Sequence, residues 1–171
     1  MAAEKYAYGI ASVKFGTPTG SATMPQSLTA WAQTVKGSLT ISEAESQTKK
    51  FHVEETTTPV KEVVSDAGAL SVKWRAYDIT PSLVEIVKGG TAGSGTGVLT
   101  YAGPTSVAAK ELALEITTTN GVVWNIYKCS ILARFDSAIS AEQLLEMEVS
   151  GTALDPGSNA SPYGYTVPNP A

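Results

Sequence analysis

The chain has 171 residues, 43% hydrophobic and 16% charged, with a formal net charge of −4 and a pI near 5. That length suits one domain with a proper core, and the composition excludes a disordered polymer. An acidic balance without a cluster of Lys or Arg excludes tight binding to DNA or RNA, which depends on cations displacing counterions from phosphates.

The low charged fraction fits a chain that buries part of its surface against copies of itself. A single cysteine, Cys129, leaves no intrachain disulfide and no multi-thiolate zinc site, and reads as a small buried hydrophobe. The opening MAAEKYAYG has no apolar run of signal-peptide length, and no later stretch is long enough to span a bilayer. The expectation is a protein that folds in a cytoplasm and has no membrane partner.

In chain order, residues 1–9 read as an arm leading into a strand, Ile10–Phe15, whose weak alternation suggests a sheet edge. Gly16–Pro25 is turn-rich and reads as a loop. Leu28, Trp31 and Val35 fit neither strand nor helix spacing. Val35–Ile41 predicts a strand with Val35, Leu39 and Ile41 on one face and Gly37 as a bulge. Ser42–Pro59 is the most polar segment, with Lys49, Lys50, Phe51, Glu54 and Glu55 along it, and reads as a long hairpin arm. Ordering such an extension alone costs backbone entropy with little burial to offset it, which points to a docking arm between copies.

Leu70–Tyr77 alternates, with Leu70, Val72, Trp74 and Ala76 on one face. Thr80–Lys88 is the one predicted helix, with Thr80 as cap, Pro81 at the first position, Gly89 ending it, and Leu83, Ile86 and Val87 as its apolar stripe. Gly89–Gly97 reads as a flexible loop before a short strand, Val98–Tyr101. Its glycines follow a helix and lack the Gly-Lys-Ser/Thr ending, so they do not make a phosphate cradle.

Lys110–Leu132 is the central hairpin. Asn120-Gly121 predicts a two-residue turn, which places Thr119 opposite Val122, Leu114 opposite Tyr127 and Leu112 opposite Cys129. Leu112, Leu114, Ile116, Val123, Tyr127 and Cys129 then form the core face. The other face carries Glu111, Ala113, Glu115 and Thr117 beside Val122, Trp124, Ile126 and Lys128, so its apolar end needs cover from another molecule. Ala133–Ser140 turns the chain, and Gln143–Leu154 supplies a last strand with Leu145, Met147 and Val149 opposite Glu146, Glu148 and Ser150. The Pro/Gly/Asn-rich tail, Asp155–Ala171, reads as an extended arm. The division is therefore one β domain over 1–154, including its N-terminal arm, and a C-terminal arm over 155–171.

Nothing here points to catalysis, metal or cofactor. His52, the sole histidine, lies in the polar arm, and no His, Cys or carboxylate spacing suits a metal. Glu54 and Glu55 are neighbours on opposite strand faces. Glu146 and Glu148 share a face, but no sequence feature separates their pKa values as a general acid and base would need.

Across nearly the whole chain the order of landmarks resembles the tail tube proteins of long-tailed bacteriophages. The carriers are GSLTISEAE at Gly37–Glu45, EETTTP at Glu54–Pro59, LSVKW at Leu70–Trp74, KGG at Lys88–Gly90, YAGP at Tyr101–Pro104, the KELALEITTTNG hairpin, ARF at Ala133–Phe135 and EVSGTALDP ending at Pro156. The resemblance implies a mainly β, sandwich or barrel-like fold with one flanking helix and extended loop and terminal arms, shared with contractile-tail and type VI secretion tubes. It also implies hexameric rings stacked into a tube, with strands of six subunits joined around a lumen that DNA crosses without specific binding. The long loop and the arms would bridge rings. Partners would be other tail proteins (tape measure, terminator, and a sheath where the tail contracts), and the location the virion. No catalytic residue transfers. An acidic lumen would repel phosphates, with Glu111, Glu115, Glu146 and Glu148 as its wall. A non-catalytic β-sandwich binding module and a secretion-tube homologue are the alternatives.

Overall fold

A computed structural model describes residues 6–31, 33–157 and 159–169. The first five residues of the expected N-terminal arm and the last two of the tail lie outside them. The described residues form twelve strands and one helix: β1 (Ser12–Gly16), β2 (Thr29–Trp31), β3 (Thr40–Glu43), β4 (Gln47–Phe51), β5 (Lys61–Asp66), β6 (Leu70–Ala76), α1 (Pro81–Lys88), β7 (Thr91–Gly95), β8 (Val98–Ala102), β9 (Lys110–Thr117), β10 (Val123–Phe135), β11 (Met147–Ala153) and β12 (Tyr163–Thr166). The main sheet runs β2-β1-β9-β10-β11-β6-β3 with β12 also on β10, while β4-β5 and β7-β8 are separate two-stranded hairpins. This is the expected mainly β architecture with one flanking helix.

Alternation decides which face each strand buries. Val13 and Phe15 on β1, Leu112, Leu114 and Ile116 on β9, Met147 and Val149 on β11, and Leu70, Val72, Trp74 and Ala76 on β6 all enter one core. The sheet curls around that core. β2 pairs with β1, and a few residues later the Val35 N–H donates to the Arg75 carbonyl (2.8 Å) and Gln33 O accepts from the Tyr77 N–H (3.0 Å). One stretch of chain therefore joins β1 to β6 and closes a barrel. Trp31 stands inside this closure, edge-on to Phe15 at 5.8 Å and to Trp74 at 5.9 Å between ring centroids. Gln33 takes the corner at φ 59°, a left-handed conformation uncommon outside glycine.

Helix α1 covers part of the core with Val84 and Val87. Pro81 occupies its first turn and Gly89, at φ 81°, ends it. Thr80 makes no side-chain cap; its hydroxyl instead donates to Asp78 Oδ1 at 2.6 Å. Of the expected stripe, Val87 is buried and Leu83 partly so, but Ile86 faces solvent and Val84 takes its place.

Other expectations are revised. The first strand is no edge, because β2 and β9 flank it. Val35–Ile41 is not one strand: Ser38 N–H returns to the Val35 carbonyl (3.1 Å) and Gly37, at φ 75°, sits in that turn, so β3 starts only at Thr40. Gly89–Gly97 is no loop, since Thr91–Gly95 pairs with β8. The tail is anchored through β12, which pairs Thr166 with Val123 and Tyr163 with Ile126.

The central hairpin differs in register. Gly121 N–H bonds to the Thr118 carbonyl and Thr118 N–H to the Val122 carbonyl, with Gly121 at φ 84°. The loop thus has three residues, Thr119 to Gly121, with the glycine in the left-handed position. A one-residue slip moves every side chain to the other face. Ile126 therefore opposes Leu114 and is fully buried, Trp124 opposes Ile116 and packs half-buried against the core, and Tyr127 and Val123 leave the core face. A bulge between Ile126 and Cys129 restores the predicted pairing of Cys129 with Leu112. The sticky second face expected from Trp124 and Ile126 does not exist, because both turn inward.

Truncating Trp74, fully buried beside Trp31, removes the ring that fastens the closure. Trp74→Ala should lose about 3–5 kcal/mol in urea unfolding; a loss under about 1 kcal/mol would show that the closure carries little of the stability.

Candidate lumen and assembly surfaces

The outer face of the barrel wall is polar for the reason the inner face is apolar: every second residue points away from the core. Register aligns its charges across strands. Lys14 opposes Glu115 and its Nζ lies 2.8 Å from Glu115 Oε1. Glu148 lies between Arg134 on β10 and Arg75 on β6. Arg134 approaches it to 2.8 Å, Lys73 to 3.1 Å and Arg75 to 3.5 Å. Arg75 also reaches Glu146 at 3.2 Å, and Lys128 reaches Glu111 at 3.1 Å. Asp136 adds contacts to Arg75 and Arg134. Among the described residues these ion pairs join five cations to five carboxylates.

The four predicted wall carboxylates thus fall in two clusters. Glu146 and Glu148 share one with Arg75, while Glu111 and Glu115 sit apart on β9, each with its own lysine. What sequence reasoning missed was the partners. Lys14, Lys73, Arg75 and Arg134 come from strands whose order in the sheet no local pattern reveals. Their signal was present only as charged residues alternating with apolar ones in SVKF, VKWRA and LARF.

Glu148 is the most buried of these groups, with a side chain 7% exposed. Burial alone would raise its pKa. Hydrogen bonds from Lys73 and Arg134, with their charges, outweigh it and hold the carboxyl below its ordinary 4.5. Burial likewise pushes the Cys129 thiol up to about 12, which makes it unreactive.

Two further surfaces stand outside the wall. Past β3 and β6 the chain continues into β4 and β5, whose strands, among the described residues, pair only with each other. At the root Ala44 N–H donates to the Ala69 carbonyl (3.1 Å), and any Cβ at Gly68 would overlap the Ala44 carbonyl oxygen. The hairpin reaches Asp66, further than Pro59 as expected. Phe51, Val53, Val60, Val63 and Val64 are all exposed on it. Lys49 lies over the Phe51 ring at 5.5 Å, and Glu54 and Glu55 sit exposed in the connecting turn with His52 nearby. A lone two-stranded hairpin is marginal in water.

The second surface is the barrel mouth, a cavity of about 790 Å³ whose lining includes Tyr8, Ile10, Trp31, Lys36, Ile41 and Trp124. Trp124 is held there by stacking on Tyr165 at 5.0 Å and Tyr163 at 6.2 Å. The N-terminal segment borders it, tied to the central turn through Thr119 N–H to the Tyr8 carbonyl and Asn120 to the Tyr6 carbonyl.

Residues 6–168 match the model of a protein family described as phage tail tube protein. The chain belongs to that family. A search of curated proteins gave no match. As a tail tube protein it is a structural component of the virion tail, and its partners there are other tail proteins. A closed barrel with a charge-balanced outer wall and projecting hairpins suits a building block.

The depressed pKa of Glu148 carries a stability prediction. Its contribution is complete above pH 4.5, the ordinary carboxylate value, and is lost as the pH falls through the lower folded value. Glu148→Gln should therefore be less stable than the parent at pH 7, with the gap closing as acid unfolding is followed downward from pH 4.5. A gap that widens on acidification would contradict the assignment.

Proposed function

We propose that six copies form a ring, that rings stack into the tail tube, and that the polar wall bearing Glu111, Glu115, Glu146 and Glu148 lines the channel crossed by the genome during ejection. The pairing of that wall's charges is the observation that carries the reading. A channel for a polyanion must not hold it, and cations already engaged by carboxylates across the strand are not free to replace counterions on phosphates. The wall lets the polyanion pass because its charges balance and leave no free cation among its described residues, not because excess acid repels it. The hairpin containing Lys49, Lys50, Phe51, Glu54 and Glu55 bridges neighbouring copies, which would explain exposed apolar residues on a segment without a core of its own. Residues 155–171 act as a second arm whose β12 segment is docked on its own barrel. The subunit is made in the host cytoplasm, and its partners in the tail include tape-measure and terminator proteins.

Negative-stain microscopy and sedimentation across a concentration series test assembly directly. The parent should give rings or tubes. Replacing residues 46–67 by a short turn should leave the unfolding midpoint near that of the parent and abolish tubes; parent-like tubes would remove the arm from the account. Glu111→Lys with Glu115→Lys frees Lys128 and Lys14 and adds cations to the wall. Particles carrying both should eject DNA more slowly, most of all at low salt. Unchanged ejection would mean that another face lines the channel.

A further inference from the structure

The barrel mouth and the β4–β5 hairpin each lack what the other offers. The mouth is an apolar cavity floored by Trp31 and Trp124, with Lys36 at its edge. Lys36 is exposed, and among the described residues no carboxylate stands within salt-bridge distance of it. Trp31 is 3% exposed, so the half-buried Trp124 offers the larger aromatic surface to an incoming side chain. The hairpin's far end presents the reverse set: Phe51, Val53 and Val60 exposed, with Glu54 and Glu55 in the turn. With five residues in β4 and about 3.3 Å per residue, the hairpin projects on the order of 15 Å from its root.

We propose that the mouth is the receptor for the β4–β5 hairpin of a second copy. Phe51 and Val53 enter over Trp124 and Trp31, while Glu54 and Glu55 meet Lys36. Hairpin and mouth are different surfaces of one chain, so the contact is heterologous and propagates from copy to copy, as a ring or a stack requires. The proposal rests on the tube reading above and adds the seat of the arm.

Lys36→Cys and Glu55→Cys combined in one full-length chain provide the direct test, since the native Cys129 is fully buried and its thiol is held protonated. Oxidation of assembled protein should give a ladder of covalent oligomers on a non-reducing gel, with none from either single variant. Independently, Lys36→Glu should raise the concentration needed for assembly about tenfold or more, and adding Glu54→Lys with Glu55→Lys should restore it. Tubes without the ladder, or Lys36→Glu assembling at the parent concentration, would overturn the docking and leave the tube reading standing. A parent that stays monomeric at every concentration would remove both.

Discussion

The structure depends on the short stretch that leaves β1's partner strand and reaches the far side of the sheet. Thr29–Trp31 pairs with β1, Gln33 and Val35 bond β6, and Trp31 sits between Phe15 and Trp74. Without this closure the sheet would present two free edges and an open apolar face, a template for indiscriminate pairing. With it, the apolar face is sealed inside and the outer face is free to be polar. The left-handed Gln33 shows how tightly the corner is turned. Burial of the aromatic trio is what holds it there.

Strand pairing within the sheet sets the electrostatics of the outer wall. It holds β6, β11, β10, β9 and β1 side by side in a fixed register, so the outward carboxylates of β9 and β11 meet cations on the next strand. Such pairs contribute little stability where they are exposed. Their effect is on the field near the surface, which is flat where unpaired charges would leave it strongly signed. Glu148 differs because it is buried, and only three cations around it make its ionised form tolerable.

Much of this was legible in the chain. LSVKWRA alternates so cleanly that its buried side needed no structure, and Pro81 and Gly89 marked the helix. Other features were invisible for physical reasons. Asn120-Gly121 suits a two-residue turn and a three-residue loop ending in glycine equally well, and choosing wrongly put Trp124 and Ile126 on the outside. The bulge beyond Ile126 then hid the error, since it returned Cys129 to Leu112. Thr91–Gly95 pairs with β8 despite its glycines, a case where tertiary context overrides propensity. The acids of the wall could be named from alternation. Their cationic partners could not, because strand order is a long-range property that no local pattern encodes.

Helical reconstruction of the assembled protein by electron cryomicroscopy would reveal which face of the barrel lines the channel. The expected map has six subunits per ring, with Lys14, Glu115, Arg134 and Glu148 on the channel surface and α1 away from it. A channel lined by α1 or by the β7–β8 hairpin, with the paired-charge wall on the outside, would contradict it.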